Sequence, residues 1–494
     1  MSTEKKSFIG TLGSFKKTFW IASAMELFER WAWYGIFTLL AIYLVGSTDE
    51  GGLGFTHTEK GQLMGFIPAI LYILPLFTGV IADKIGYKLS LIISYTMLII
   101  GYYLMGEVSS YWSVFFVFLF VALGAALFKP VASAIITKST DESNSTLGFG
   151  IFYMMVNIGG FIGPAMSSGL RSTYGWKLIF IQASIVIGIN LLVVLFFFKE
   201  PYREETSKET FSEAVSNSFK KIIEAVKDVR LSVLLIIMVG FWTMFNQLFN
   251  TLPNFIEDWI DSSVLSTTIS DFWPWLGDIM SDGGQIKPEW FTQIDALMIV
   301  FLQIFVSFFV LKMRHVTAMV RGFIIATVGI GLTFYTQNVW FTVIGTVIFA
   351  IGEMATNPTF SSFIAIISPK GKEALYQGTY FLPVAAGNFF TAFVSGNLYQ
   401  AWSDKLTLLQ TEMTTRGIEM PEVSAEFSKN QYYELAAQKL GMNQSDMTAL
   451  LWNNYSPNKI WIVIVGIGVV TILALAIYDK MVIKPKEAAA KANN

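Results

Sequence analysis

Residues 25–35 read MELFERWAWYG and carry Glu26, Glu29 and Arg30 among Met, Leu, Phe and Trp. Directly downstream, IFTLLAIYLV is purely lipid-like. The three ionisable groups are spaced three and four apart, so they share one face of a helix. A lone charge at the bilayer centre costs about 2.5–3.5 kcal/mol on insertion scales, so such groups turn inward and pair. Arg30 can hold one carboxylate in its planar fork. Two neighbouring carboxylates do not both ionise easily, so one of them takes up a proton near the working pH. A carboxylate that accepts a proton when Arg30 is released, and returns it on re-pairing, couples proton flow to conformation. The plain alternative is a static ion cluster holding the first and fourth spans together.

Further charges stand inside apolar stretches. Lys129 lies next to Pro130 in ALGAALFKPVASAI, and Glu353 lies in AIGEMATNPTFSSF. Asp295, in WFTQIDAL, reads either as a second proton site or as a charge at an outer helix end. Covalent chemistry has no candidate. Cysteine is absent, which excludes disulfides, thiolate metal sites and thiol nucleophiles. There is no HExxH and no nucleophile elbow beside a histidine, so a membrane enzyme is set aside. His57 and His315 sit at span ends without metal partners at ligand spacing, and no metal or other cofactor is expected.

These residues need elements to hold them, and the composition says which kind. Of 494 residues, 53% are hydrophobic and 14% charged, against about a quarter charged in soluble domains. That deficit, gathered into long apolar blocks, indicates an all-α, multi-pass membrane protein. The 43 Phe, 19 Tyr and 14 Trp suit a chain that crosses two lipid interfaces. A formal net charge of −2 offers no basic face for nucleic acid. At roughly 20 apolar residues per span, about twelve spans are expected, near 18–46, 57–82, 88–107, 111–137, 147–170, 176–198, 231–256, 293–313, 317–336, 339–367, 376–402 and 458–482.

Lys and Arg fall in every second loop, at Lys84 and Lys88, Lys138, Lys199 to Arg230, Lys312 to Arg321, and Lys370 and Lys372. Lys5, Lys6, Lys16 and Lys17 precede the first span, and Lys480, Lys484, Lys486 and Lys491 follow the last. By the positive-inside rule both termini face the cytoplasm. The N-terminus lacks the pattern of a removable signal peptide, so the first span is expected to be its own anchor. The chain then divides into 1–198, a charged and partly amphipathic cytoplasmic linker at 199–230, and 231–494 with outer insertions near 257–292 and 403–456. The second insertion is too polar to cross a membrane. It reads as a solvated cap or a partner-docking element, helical between Pro421 and Gly441.

A repeat links the two blocks. At one constant offset Gly124 matches Gly352, Pro130 matches Pro358, Ser133 matches Ser361, Gly150 matches Gly378 and Gly159 matches Gly387. This suggests a duplicated six-span unit, an arrangement used by transporters. Within it Lys129 corresponds to Asn357, and Glu353 to Ala125. One half supplies a buried cation and the other a buried anion, the pair a zwitterion wants.

GVIADKIGYK, with Gly79, Asp83, Gly86 and Lys88, resembles the loop between spans two and three of the major facilitator superfamily. The resemblance implies a twelve-span fold of two pseudo-symmetric six-helix bundles, with the acid capping a helix end and glycine forming the tight turn. More specifically, the chain resembles proton-dependent oligopeptide transporters. The matching blocks are Glu26, Glu29, Arg30, Trp31, Trp33 and Tyr34; Phe128, Lys129 and Pro130; Phe152, Tyr153, Asn157 and Gly159; Gly352, Glu353 and Pro358; and Phe381, Leu382, Ala385, Gly387 and Asn388. The resemblance implies proton coupling through Glu26, Glu29, Arg30 and Lys129; Asp295, standing where the family has an asparagine, adds a candidate second proton site. It implies substrate contacts at Arg30, Tyr34, Tyr72, Lys129, Asn157, Asn246 and Glu353. In that scheme Lys129 meets the substrate carboxylate and Glu353 the ammonium. Simple interhelical pairing is the competing reading for each. The family's second span-one arginine is Phe37 here, and its span-seven glutamate is Asn246. The run GGFIGPAMSSG resembles a motif of proton-drug antiporters, though small residues also serve helix packing.

The expectation is a monomeric, proton-driven importer of di- or tripeptides or peptide-like zwitterions in a bacterial cytoplasmic membrane. Its partners are substrate, protons and lipid, with no nucleic acid. A proton-coupled carrier of another solute, an exporter and a non-transporting sensor are the alternatives.

Overall fold

In the computed structural model, residues 13–141, 144–200, 210–369, 372–424 and 426–486 are described. Lys5, Lys6, Lys370, Lys491 and residues 201–209 of the expected linker lie outside them. The first helix, α1 (Lys17–Val45), runs 29 residues, more than a bilayer requires, and Glu26, Glu29 and Arg30 interrupt its apolarity. There follow α2 (His57–Ile73), α3 (Pro75–Ile85), α4 (Tyr87–Met105), α5 (Tyr111–Ser139), α6 (Ser145–Tyr174) and α7 (Lys177–Phe196). After the linker helix α8 (Phe211–Val226) come α9 (Val229–Phe245), α10 (Leu252–Trp259), α11 (Ser263–Phe272), α12 (Pro274–Met280), α13 (Glu289–Val310), α14 (His315–Tyr335) and α15 (Val339–Ile367). The chain closes with α16 (Glu373–Gly378), α17 (Phe381–Ala392), α18 (Lys405–Thr415), α19 (Lys429–Leu440), α20 (Gln444–Tyr455) and α21 (Ile460–Tyr478).

Among the described residues ten helices are long and apolar enough to span a membrane, and α2 with α3 makes an eleventh, bent by 52°. Pro75, at the start of α3, causes that break, because its ring cannot continue the preceding helix. The 29-residue α1, whose apolarity Glu26, Glu29 and Arg30 interrupt, is not among these and is the twelfth candidate among the described residues.

Two compact units divide the chain. Unit 1 holds residues 1–37, 73–108 and 112–219, and unit 2 holds residues 38–72, 109–111 and 220–494. Each unit uses the repeated glycines in the same way. A Cβ on Gly159 would stand 2.3 Å from the Leu27 carbonyl oxygen of α1, and one on Gly387 would stand 2.4 Å from Trp242 Cβ of α9. Both glycines let a span lie directly on the backbone of the first span of its own set. Gly150 and Gly378 meet nothing within 4 Å among the described residues.

The Gly79–Lys88 loop turns at Gly86, whose φ of 95° favours glycine. The α4 N-terminus is capped by Glu200, which accepts the Tyr87 and Lys88 amides at 2.7 Å each. Asp83, expected to cap a helix end, lies exposed just before the turn. Linker helix α8 starts at a reciprocal cap: Glu213 accepts the Thr210 amide at 2.7 Å and donates its own to the Thr210 hydroxyl at 3.3 Å.

The insertion at 257–292 folds into α11, α12 and a two-stranded antiparallel hairpin pairing Ser281 with Ile286 and Asp282 with Gln285. In the second insertion the helix expected from Pro421 begins only at Lys429. Ser428 and Gln431 form a capping box there and fix the start, and Gly441, with a φ of 66°, ends it. Residues 421–424 and 426–428 are not helical. Helix α19 docks on the loop after α1: Asn430 donates its backbone amide to Ser47 Oγ at 3.2 Å and its side-chain amide to Glu50 at 2.9 Å.

Candidate functional site

In unit 1 the charge trio is folded inward. Glu29 is fully buried, and Glu26 and Arg30 nearly so. Arg30 donates from Nε to Glu29 Oε2 at 2.5 Å and places Nη2 at the same oxygen, also at 2.5 Å. Glu26 Oε1 lies 3.5 Å from Arg30 Nε. One carboxylate is therefore gripped and the second only approached. The grip is on a single oxygen: Glu29 Oε1 is buried with no hydrogen-bond partner among the described residues. Leaving such an atom unpaired costs about 1–3 kcal/mol, so it is open to a hydrogen-bond donor. Lys129, on α5, is within electrostatic reach of all three charges. The Tyr34 ring lies beneath the guanidinium, 5.8 Å from it. Gly159 lets α6 approach this stretch of α1 closely, since a Cβ there would stand 2.9 Å from Arg30 Cβ.

Asn157 is drawn into its own helix, its amide donating to the Tyr153 carbonyl at 2.8 Å. In unit 2, Asp295 on α13 and Glu353 on α15 are both buried and come within hydrogen-bonding reach of each other. Asp295 Oδ1 and Glu353 Oε2 have no hydrogen-bond partner among the described residues. Asn357 stands beside Glu353 and accepts a hydrogen bond from the Tyr380 hydroxyl. Asn246 is buried just past α9, its Nδ2 without a partner among the described residues. The Tyr72 ring stacks on Phe381 at 6.2 Å. Asn388 donates to the Val384 carbonyl at 2.9 Å, an ordinary intrahelical bond.

Sequence reasoning missed a second cluster in unit 2. Lys60 is fully buried and donates to the Asn250 carbonyl at 2.8 Å and to Asn254 Oδ1 at 2.9 Å. Asn254 in turn donates to the Ala41 carbonyl at 3.1 Å. One turn earlier on α2, His57 meets Asp258 and Asp404. Lys60 was detectable in principle, as a lysine on the same helical face as Leu63 and Met64 ahead of an apolar run. The acids come from far along the chain, and no spacing signals them.

Residues 20–277 match the family model of the Major Facilitator Superfamily. Over 180 residues the chain is 29% identical to "Peptide transporter YePEPT" of Yersinia enterocolitica subsp. palearctica serotype O:3 (strain YE-P4), covering 35% of this chain and 34% of that protein. Over 201 residues it is 31% identical to "Dipeptide and tripeptide permease B" of Aliivibrio fischeri (strain MJ11), covering 39% of this chain and 37% of the permease. These matches thus span little more than a third of the relatives' own length. Among solved structures, a POT family transporter in complex with 5-aminolevulinic acid superposes with a TM-score of 0.65 at 18% identity, covering 95% of this chain and 98% of that one. A nucleoside transporter superposes with a TM-score of 0.63 at 13% identity, covering 94% of this chain and 100% of that one. At these identities the structures speak for the fold alone.

Proposed function

The chain belongs to the Major Facilitator Superfamily, and we propose that it is a proton-coupled symporter importing di- or tripeptides or peptide-like zwitterions by alternating access. The observation that carries this reading is the buried Glu26–Glu29–Arg30 trio, in which one carboxylate oxygen faces no donor. A buried, half-satisfied acid beside an arginine suits a proton that comes and goes better than a permanent girder does. Unit 1 adds Lys129, a cation suited to a peptide carboxylate. Unit 2 adds Glu353, an anion suited to an ammonium. Asp295 and Glu353, both buried, form a second proton site, since two neighbouring carboxylates do not both ionise easily. Both termini face the cytoplasm, and the chain acts as a monomer in a bacterial inner membrane. Moving one proton down about 100 mV releases roughly 2.3 kcal/mol, enough for tens-fold accumulation.

The test is uptake of labelled dialanine into proteoliposomes under an inward proton gradient, competed by a peptide panel. Peptide-sensitive uptake with substrate-dependent acidification of the lumen supports the proposal. The second reading, another solute on the same fold, is favoured by Phe37 and Asn246 at the positions of the family's arginine and glutamate. Failure of every peptide to be taken up or to compete selects it.

A further inference from the structure

His57 opens α2, and its imidazole is 3% exposed. Neither ring nitrogen has a hydrogen-bond partner among the described residues. A buried imidazole always carries at least one N–H donor, and in its neutral form one acceptor, so both needs go unmet here. What the ring does face is two acids. Its Nε2 lies 3.4 Å from Asp404 Oδ1, beyond a normal hydrogen bond. Asp258 completes a group whose three donor atoms lie within 4.8 Å of one another, every residue of it buried.

We infer that His57, Asp258 and Asp404 form a binding site for a divalent transition metal of the Zn2+ class. At Zn–N and Zn–O bonds of about 2.0–2.1 Å, the edge of a coordination tetrahedron is about 3.3–3.4 Å. The His57–Asp404 separation already has that length. One imidazole with two carboxylates is a borderline ligand set that leaves a fourth position for water, and it is poor in oxygen donors for Ca2+ or Mg2+. The acids are held from behind. The Tyr399 hydroxyl donates to Asp258 Oδ2 at 2.9 Å. Thr407 donates its amide at 3.1 Å and its hydroxyl at 2.5 Å to Asp404 Oδ2, which leaves Oδ1 toward the ring. Such outer contacts are what orient metal ligands.

The surrounding cations have other partners. Lys60 turns its ammonium to Asn250 and Asn254. Lys405 lies over the Trp259 ring at 5.8 Å, and Lys429 over Tyr433 at 5.8 Å. Their charge weakens the metal without occupying its place. Bound Zn2+ would tie the start of α2 to the end of α10 and to the segment entering α18. Resting on the transport reading, this makes the ion a clamp that slows uptake.

The experiment is calorimetric titration of the full-length, untagged protein in detergent with Zn2+, and separately with Ca2+ and Mg2+. With no cysteine and two histidines in the chain, His315→Ala is the control. One saturable Zn2+ per chain is expected. Affinity falls more than about tenfold in His57→Gln and Asp404→Asn, falls about tenfold in Tyr399→Phe, rises in Lys60→Met, and is unchanged in His315→Ala. No saturable Zn2+ binding by the folded wild type, or binding that survives His57→Gln, overturns the site. If His57→Gln does not elute as a monodisperse peak, Tyr399→Phe decides in its place, and unchanged affinity there overturns the site. In proteoliposomes, uptake that ignores saturating external Zn2+ refutes the clamp. Zn2+ binding by a chain with no uptake under any condition refutes the transport reading and leaves the site standing.

Discussion

Glu29 keeps one oxygen on Arg30 and the other without a partner among the described residues. On the proposed function, that asymmetry makes Glu29 the group to test, since a buried oxygen left without a partner is costly. Glu29→Gln keeps the shape and removes the carboxylate charge. Under a 100 mV potential the accumulation ratio of the variant should fall from tens-fold toward unity, about 2.3 kcal/mol of lost coupling. Exchange of labelled against unlabelled substrate, which needs no net proton movement, should persist. Accumulation equal to wild type would remove Glu29 from the coupling route. The spacing of Glu26, Glu29 and Arg30 made their shared face legible in the sequence. The unequal grip was not, since spacing along one helix does not fix which oxygen each donor reaches.

At the scale of the element, the repeat is explained by contact. Gly159 leaves no room for a side chain against the α1 backbone, whereas Gly150 meets nothing within 4 Å. Gly159→Val should therefore abolish folded yield or lower stability by more than the about 1–3 kcal/mol typical of overpacking, because backbone cannot yield as side chains do. Gly150→Ala should stabilise α6 by about 0.4–1 kcal/mol. Melting in detergent followed by size-exclusion fluorescence separates the two. Asp228 caps α9, accepting the Arg230 amide at 3.0 Å and the Tyr376 hydroxyl at 3.0 Å. Burial works to raise its pKa, but these bonds from Arg230 and Tyr376 prevail and hold it below the ordinary 3.8. A carboxyl depressed in the folded state contributes stability above its unfolded pKa and loses it as pH falls through the folded value. Wild type should melt higher than Asp228→Asn at neutral pH, and the two should converge below pH 3.8. A gap unchanged down to acid would mean the charge is not what Asp228 contributes.

For the whole molecule, residues 38–72 pack within unit 2 although they precede most of unit 1 in sequence. A Cβ on Gly61 would come within 2.5 Å of Gly396 Cα, so α2 lies against the π-helical stretch Phe393–Leu398 with backbone nearly touching backbone. If the proposed alternating access loosens this packing, the contact opens during turnover. Ser395 is 1% exposed, and the chain has no native cysteine, so Ser395→Cys is a near-isosteric and unique reporter. A membrane-impermeant maleimide should label it slowly at rest and faster during proton-driven uptake. One rate in both conditions would remove this contact from the transport cycle.

The sequence by itself determined the class of fold and the helix carrying each charge. Those follow from local quantities: apolar length against bilayer thickness, three- and four-residue spacing, and glycine and proline at a constant offset. Even so, local cues misread one boundary, since Pro421 opens no helix and the Ser428–Gln431 box does. Only the tertiary structure decided which charges meet. Glu200 on the α4 amides, Asp295 with Glu353, and His57 between Asp258 and Asp404 join residues far apart in the chain. Such pairs are selected by which helix faces pack together, and a polar side chain carries no local signal of the partner that packing will bring.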